Sequence, residues 1–558
     1  MSLLGKKWII QNSQQEAGTL EKLFLNRGVA TPQQKDAFLG LTETELHDPY
    51  LFKDMQKAVD RLEKALSEGE RIIIFGDYDV DGISGTALLY NCLNKLGFNV
   101  SYRLPHRVDD GYGLSSKFVD VFKEAEAKVI ITVDCGVSNY DQVEEMNQAG
   151  IDVIITDHHT VPAKIPQAYA IIHPKVEGET YPFDGLTGSG VALKLAQALY
   201  QHFNLPEEDF FKLIDLASLG TVADMGPLKG ENRLIVRKGL EALQKTHWKG
   251  LEMIMQKAGI NREDTVDTGT IGFQLSPRIN AAGRIDTPYL ALQLLLQEEE
   301  SAKGKGMADK LEGLNIQRQN MTKIAIEELA DFVLSLSNPK VIVKASSEWH
   351  IGIVGLIAGR AAERYGVPAI IMQDFGDHLV GSCRSPYFVN ITEALRAHKE
   401  LLTNFGGHEN AAGFSMPKAN LEAFTKAINE YFNDLFKEQV MGPELQIDCT
   451  LNSAELSLDF VKSLNQFEPF GIENKKPLFL IENCEIDRVD KVGATGSHLK
   501  IKVKKGDKFI DAIAFSFGEH FEKLRSHKSI KIVAQLDANV WKGRETLQLK
   551  VEDIAIEE

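Results

Sequence analysis

Ile72-Ile-Ile-Phe75-Gly-Asp77-Tyr-Asp79-Val-Asp81-Gly82 sets an apolar run directly against three carboxylates at alternate positions. The unbroken apolar run suits a parallel strand covered on both faces. Gly76 and Gly82 bracket a turn before the helical run Ser84-Gly-Thr-Ala-Leu-Leu-Tyr-Asn-Cys-Leu93. The three acids then lie at the carboxyl end of a strand, where open α/β sheets place their ligands. Carboxylates crowded into a cleft raise one another's pKa and destabilise the fold unless protons or a cation neutralise them. Hard oxygen donors select Mg²⁺ or Mn²⁺ as that cation. The competing reading is a solvated acidic loop or a calcium-type turn, because short Asp-rich loops are often turns and nothing more.

Other stretches favour the cation. Lys128-Val-Ile-Ile-Thr-Val-Asp134-Cys-Gly136 and Ile151-Asp-Val-Ile-Ile-Thr-Asp157-His158-His159 read as strands of the same kind, each ending in metal-competent side chains. A fourth apolar segment, Leu216-Ala-Ser-Leu-Gly-Thr-Val-Ala-Asp224, ends on another acid. If these elements lie side by side, Asp77, Asp79, Asp81, Asp134, His158 and Asp224 surround two divalent ions with one carboxylate shared. A site of that kind holds its ions roughly 3.5–4 Å apart and clamps both the attacking and the leaving oxygen of a phosphoryl displacement.

The Asp157-His158-His159 triplet resembles the signature of the DHH phosphoesterase superfamily. The order of the motifs is similar to that of the RecJ family of bacterial single-strand-specific exonucleases. The resemblance runs from the Asp77–Gly82 motif to Val551-Glu-Asp-Ile554. It includes Pro277-Arg-Ile-Asn-Ala-Ala-Gly-Arg284, Glu348-Trp-His-Ile-Gly-Ile-Val-Gly355, Gly406-Gly-His-Glu-Asn-Ala-Ala-Gly413 and Pro469-Phe-Gly-Ile-Glu-Asn474. It implies an α/β fold class: two α/β domains, DHH and DHHA1, joined by a long helix, with a C-terminal β-barrel of the OB type. The expected boundaries are a helical lead over 1–45, the DHH domain over 46–290, the connecting helix over 291–336, the DHHA1 domain over 337–435 and the OB domain over 436–558.

The resemblance also assigns roles outside the acidic strand ends. His159 is expected to polarise the phosphate beside the ligand His158. Arg107, with His106 next to it, and Ser382 and Arg384 match positions that receive a terminal 5′-phosphate. Arg278, Asn280 and Arg284 become candidates for holding phosphates at the site entrance, since Arg forms bidentate phosphate contacts. Gly407 and His408 bring backbone and a donor close to an oxyanion. Without the family, these arginines read as surface charge and the Gly-Gly-His as an ordinary turn.

At 558 residues the chain exceeds the size at which one core keeps growing. A hydrophobic content of 43% and a charged content of 25% are those of an ordinary globular protein. With no run of eighteen apolar residues and no signal-like N-terminus, neither a membrane span nor export is expected, and the expected location is the cytoplasm. Five cysteines without paired spacing read as reduced thiols. The net charge of −17 runs against tight coating of duplex, but not against a channel that grips one strand.

Near the C-terminus, Lys491 to Gly506 alternates apolar and basic residues like a strand with one cationic face. Trp541, followed by Lys542 and Arg544, is the candidate platform for stacking bases; a tryptophan buried in the barrel core is the equal alternative. The implied activity is metal-dependent 5′ to 3′ hydrolysis of single-stranded DNA in repair and recombination. The implied setting is a monomer, with a single-strand-binding protein or helicase as partner. A phosphodiesterase acting on RNA or short oligonucleotides and a non-catalytic replication scaffold are the rival readings. Full retention of the acidic motifs speaks against the scaffold, while sugar discrimination leaves no mark in the sequence.

Overall fold

The computed structural model describes residues 2–11, 16–40, 46–107, 110–111, 113–438, 444–541 and 543–556. The chain divides into two compact units, one of Met1–Leu46, Pro227–Lys229 and Val440–Glu558, the other of His47–Gly226 and Gly230–Gln439. Strand β1 (Lys7–Ile10) belongs to the first unit.

The second unit contains two sheets. The first runs β2 (Ile72–Gly76), β3 (Val100–Arg103), β4 (Val129–Val133), β5 (Asp152–Thr156) and β6 (Ala170–Ile172) along the chain, and its spatial order is β3-β2-β4-β5-β6. All neighbours are parallel. The central strands β2 and β4 are buried at every residue, as continuous Ile/Val runs require when helices cover both faces. Register places the strand ends level: Gly76 pairs with Val133, and Val133 with Thr156. The next residue of each strand donates its amide to a neighbour's last carbonyl: Asp77 to Val133, Asp134 to Thr156, and Asp157 to Ile172. Three aspartates from three strands thereby share one edge.

Helices α1 (Met55–Glu68), α2 (Val80–Lys95), α3 (Gly188–His202) and α4 (Ile214–Ala223) belong to the same unit, and α2, α3 and α4 pack on one another. The segment ending at Asp224 is thus a helix, correcting the expectation of strands lying side by side. A short apolar run buried all round has no periodicity that separates the two states, and Ile214 to Thr221 are all buried. Farther on come α5 (Lys249–Lys257), α6 (Ser276–Ile285), α7 (Tyr289–Leu295) and the 33-residue α8 (Ala302–Leu334). The Lys303-Gly-Lys-Gly306 stretch does not break α8 but forms its first turn, where Ser301 caps the amide of Gly304.

The second sheet has the order β10-β11-β9-β8-β7, from β7 (Ile342–Ser346), β8 (Ala369–Asp374), β9 (His378–Arg384), β10 (Asn404–His408) and β11 (Ala411–Pro417). Helix α9 (Ile351–Tyr365) lies between β7 and β8, the only parallel pair in this sheet.

In the first unit, β12 (Glu444–Ile447) pairs in parallel with β1. Residues 7–10 are therefore strand and not helix, a correction to the reading of the lead; the partner lies more than 430 residues away, beyond any local pattern. A barrel follows: β13 (Cys449–Thr450), β14 (Phe479–Val492), β15 (His498–Lys505), β16 (Lys508–Ala514), β17 (Ser529–Trp541) and β18 (Arg544–Ile556), closed by pairing of β14 with β17. Leu499, Ile501 and Val503 point into its core, while Lys500 and Lys502 are exposed, which is the cationic face read from the sequence. Leu23 and Phe24 of the lead join this core.

A Cβ added at Gly250 on α5 lies 1.5 Å from the Leu294 carbonyl of α7. Backbone cannot yield as a side chain can, so Gly250→Ala is expected to lower stability by about 2 kcal/mol. Equilibrium denaturation of the full chain measures this, and an unchanged midpoint would show that α5 and α7 pack less tightly than described.

Candidate metal centre and phosphate pocket

The acidic strand ends are held in place by helix termini. Asp79 caps α2, its Oδ1 accepting the amides of Asp81 (3.0 Å) and Gly82 (3.2 Å). Asp81 faces the start of α3, where it accepts from the amides of Gly188 (2.6 Å) and Ser189 (2.9 Å) and from the Thr187 hydroxyl (3.1 Å). Carboxylates at helix N-termini are stabilised by unpaired amides and the helix dipole. Two glycines make the approach possible: a Cβ at Gly188 lies 2.4 Å from the Asp134 Cβ, and one at Gly220 lies 2.2 Å from Asp81 Oδ1. Asp134 itself sits at φ 62°, a left-handed conformation costing a non-glycine residue roughly 1–3 kcal/mol.

Three sets of ligand-type atoms gather within 4.8 Å: Asp77, Asp79 and Asp134; Asp81, His158 and Asp224; and Asp134, His158 and His159. Asp134 belongs to the first and third of them and His158 to the second and third, so the two side chains link the three sets. His158 Nε2 lies 3.1 Å from Asp134, 3.6 Å from Asp224 and 3.9 Å from Asp81, yet makes no hydrogen bond, and neither does the buried Asp77 Oδ1.

Burial and mutual repulsion dominate the electrostatics. Burial, then Asp79, pushes Asp77 up to about 8; burial, then Asp81 and Asp79, pushes Asp224 up to about 8. Asp134 and Asp79 are raised by burial and by neighbouring carboxylates. Burial pushes His158 down to about 4, into its neutral, ligating form. Burial opposes a charge on His159 as well, but its 2.8 Å hydrogen bond to Asp157 prevails and holds its pKa up at about 9. Asp157, buried but accepting from His159 Nδ1 and from the amides of Val137, His158 and His159, lies far below the usual carboxylate range. Carboxylates whose pKa is raised, beside an imidazole whose Nε2 faces them without a hydrogen bond, fit divalent cations held by hard oxygen donors and one nitrogen.

A second group is cationic. The Arg107 guanidinium lies 3.9 Å from the centre of the Tyr78 ring, and its Nε is buried without a partner. Arg284, on α6, donates to the Gly352 carbonyl at 3.1 Å, and Arg384, on β9, donates to Ser382 Oγ at 2.9 Å. A Cβ at Gly355 on α9 would stand 3.2 Å from Ser382 Oγ and 3.5 Å from Arg384 Nη2, so the helix face is cut back where these side chains lie. Burial, then Arg107, Arg318 and Arg384, presses Arg284 down to about 9; burial and Arg107 lower Arg384. Arginines that repel one another in a buried setting call for an anion.

Other candidates fare differently. Arg278 is committed to Glu312 (2.6 Å), which occupies the fork expected to face phosphate. Asn280 leaves Oδ1 buried without a partner. His106 sets Nε2 3.0 Å from the Asp286 carbonyl. Gly407 (φ 144°) and His408 are exposed on the β10–β11 hairpin. Arg544 is exposed at the start of β18, whereas Lys542 and the Trp541 side chain lie outside the described residues. Tyr78, which supports Arg107, and Thr187, which anchors Asp81, are not singled out by reading the sequence. The place of Tyr78 between two acids is the one signal that marks it.

Three family profiles match the chain: the DHH family, N-terminal domain, over 71–221, the DHHA1 domain over 338–434 and the RecJ OB domain over 447–553. The single-stranded-DNA-specific exonuclease RecJ of Bacillus subtilis is 35% identical over 539 residues, covering 96% of this chain and 68% of the relative. That of Escherichia coli is 31% identical over 560 residues, covering 96% and 95%. Among solved structures, RecJ of Thermus thermophilus in complex with Mn²⁺ superposes with a TM-score of 0.85 at 28% identity, over 99% of this chain and 80% of that one. An exonuclease RecJ bound to manganese gives 0.61 at 34% identity, over 70% and 98%. Relatedness along nearly the whole length, through all three profiles and in one order, means that the chain belongs to the RecJ family of DHH exonucleases.

Proposed function

We propose that this chain is a divalent-metal-dependent exonuclease that shortens single-stranded DNA stepwise from its 5′ end, in repair and recombination. The observation that carries this reading is that Asp134 shares one cluster with Asp77 and Asp79 and stands 3.1 Å from Nε2 of His158, which shares another with Asp81 and Asp224. Asp77, Asp79 and Asp134 would hold one cation, and Asp81, His158 and Asp224, with Asp134, the other. Mn²⁺ and Mg²⁺ are named in complexes of the Thermus thermophilus relative and suit the same donors. When bound, such a pair supplies Lewis acidity and acidifies a water for attack on phosphorus.

The chain's own residues do the rest. Asp157 fixes the His159 ring through Nδ1 and keeps it protonated, so that it meets charge developing on the phosphoryl oxygens. Asp81 is held by α3 in a single orientation, which keeps its ligand oxygen directed without further ordering. Arg107, Arg284, Ser382 and Arg384 receive the 5′-phosphate and fix where the strand is cut. Among the described residues no helix is long and apolar enough to cross a membrane. The setting proposed is a cytoplasmic monomer acting on strands exposed by a helicase or presented by a single-strand-binding protein.

Single-stranded DNA labelled at either end, digested with Mn²⁺ beside matched RNA and duplex, tests the reading. Early release of short 5′-labelled products with a slowly shortening 3′-labelled strand is expected, and internal cuts or equal digestion of RNA would sink it. Asp134→Ala is expected to reduce turnover by more than about 100-fold with circular dichroism unchanged, and Asp157→Asn by about 10- to 100-fold. Normal turnover in either purified variant would remove that residue from its role. Arg384→Ala is expected to cut the preference for 5′-phosphate over 5′-hydroxyl ends by about tenfold or more, and an unaltered ratio would take it out of the pocket.

A further inference from the structure

Pro469-Phe-Gly-Ile-Glu-Asn474 takes no part in the metal centre or the phosphate pocket. It forms a turn ahead of β14, built around the buried Asn474. The side-chain amide of Asn474 donates to the carbonyls of Phe467 and Pro469, both at 2.7 Å, and its Oδ1 accepts from Arg27 Nε at 2.8 Å. Gly471 and Asn474 also bond backbone to backbone in both directions, at 2.9 and 3.3 Å. Buried polar groups satisfied in this way rigidify the segment that carries them.

The turn holds a piece of chain from elsewhere. Pro227–Lys229 belongs to the first unit, although the chain on either side of it belongs to the second. The Leu228 amide donates to the Ile472 carbonyl at 2.8 Å. Leu228 is 3% exposed, and a Cβ added at Gly471 would stand 2.6 Å from its Cδ1, so the turn is cut back to receive the leucine. Lys229 pairs with Glu473 at 2.6 Å, but both are exposed and such a pair contributes little. The grip is on Leu228.

Four residues before Leu228 stands Asp224. Asp79 and Asp81 accept backbone amides that aim them, whereas the Asp224 carboxylate accepts no hydrogen bond from the described residues; His158 Nε2 stands 3.6 Å from it. Its direction is therefore set by its backbone. On one side that backbone is the end of α4, where the Asp224 amide bonds to the Gly220 carbonyl at 2.9 Å. On the other, Met225 turns at φ 59° and Gly226 closes on the Thr221 carbonyl at 2.9 Å. Pro227 has no amide hydrogen to donate, so the next hold is Leu228 on the turn. A left-handed methionine persists where the chain is fixed on both sides of it.

We propose that the Pro469–Asn474 turn positions Asp224: by gripping Leu228 it fixes the chain that carries this acid, and metal binding at Asp81, His158 and Asp224 depends on it. The turn touches neither ion nor substrate. This inference rests on the reading of Asp224 as a metal ligand.

Calorimetric titration of the full chain with Mn²⁺, without nucleic acid, tests it in the parent, Leu228→Ala, Gly471→Val, Asp224→Ala and the double variant Leu228→Ala/Asp224→Ala. The parent is expected to bind two ions. Leu228→Ala and Gly471→Val are each expected to bind one ion at parental affinity and the other about tenfold more weakly or worse. Because Leu228 acts through Asp224, adding Leu228→Ala to Asp224→Ala is expected to leave the remaining ion unmoved. Leu228→Ala decides the matter if Gly471→Val does not fold. Two ions at parental affinity on Leu228→Ala, equal weakening of both, or weakening of the ion that Asp224→Ala retains would overturn the proposal. Failure of the underlying reading gives another pattern: fewer than two ions on the parent, or two at parental affinity on Asp224→Ala, and the proposal falls with it.

Discussion

Repulsion among carboxylates that the fold will not let separate is the constraint from which the rest follows. Parallel pairing in strict register puts Asp77, Asp134 and Asp157 at one sheet edge, and helix starts add Asp79 and Asp81. Asp157 accepts from three amides and from His159 and its pKa falls, while burial and neighbouring carboxylates raise those of Asp77, Asp79, Asp134 and Asp224. The unlike fates of acids a few ångströms apart divide the site into a part that orients and a part that awaits positive charge. On the proposed reading, cations supply that charge, and the strain at Asp134 is the cost of a carboxylate that reaches both clusters.

Beside this acidic edge stands its electrical opposite. Arg107, Arg284 and Arg384 come from a loop, a helix and a strand far apart in the chain, and no acid pairs with them among the described residues. A net charge of −17 therefore describes the protein poorly. What counts locally is that a carboxylate cluster and an arginine cluster adjoin within one compact unit, close enough that Arg107 moderates the pKa of Asp77 and Asp79.

Much of this was legible in the sequence because it follows from short-range pattern. Ile-Val runs ending in acid announced β2, β4 and β5, and with them the level of Asp77, Asp134 and Asp157. The alternation of Lys500 and Lys502 with Leu499 and Ile501 announced a barrel strand with one charged face. Where the determinant was tertiary, reading failed. The run before Asp224 is buried on all sides and so lacked the period of the helix it forms; β1 finds its partner in β12 across the whole chain. Arg278 showed the right chemistry, but the sequence held no sign that Glu312, 34 residues on, would claim it.

Anomalous scattering from manganese, in crystals of this chain soaked with it, tests the central claim most directly. The account expects two peaks roughly 3.5–4 Å apart, one bounded by Asp77 and Asp79, the other by Asp81, His158 and Asp224, with Asp134 touching both. A single peak away from Asp134, or none at full soaking, would contradict it.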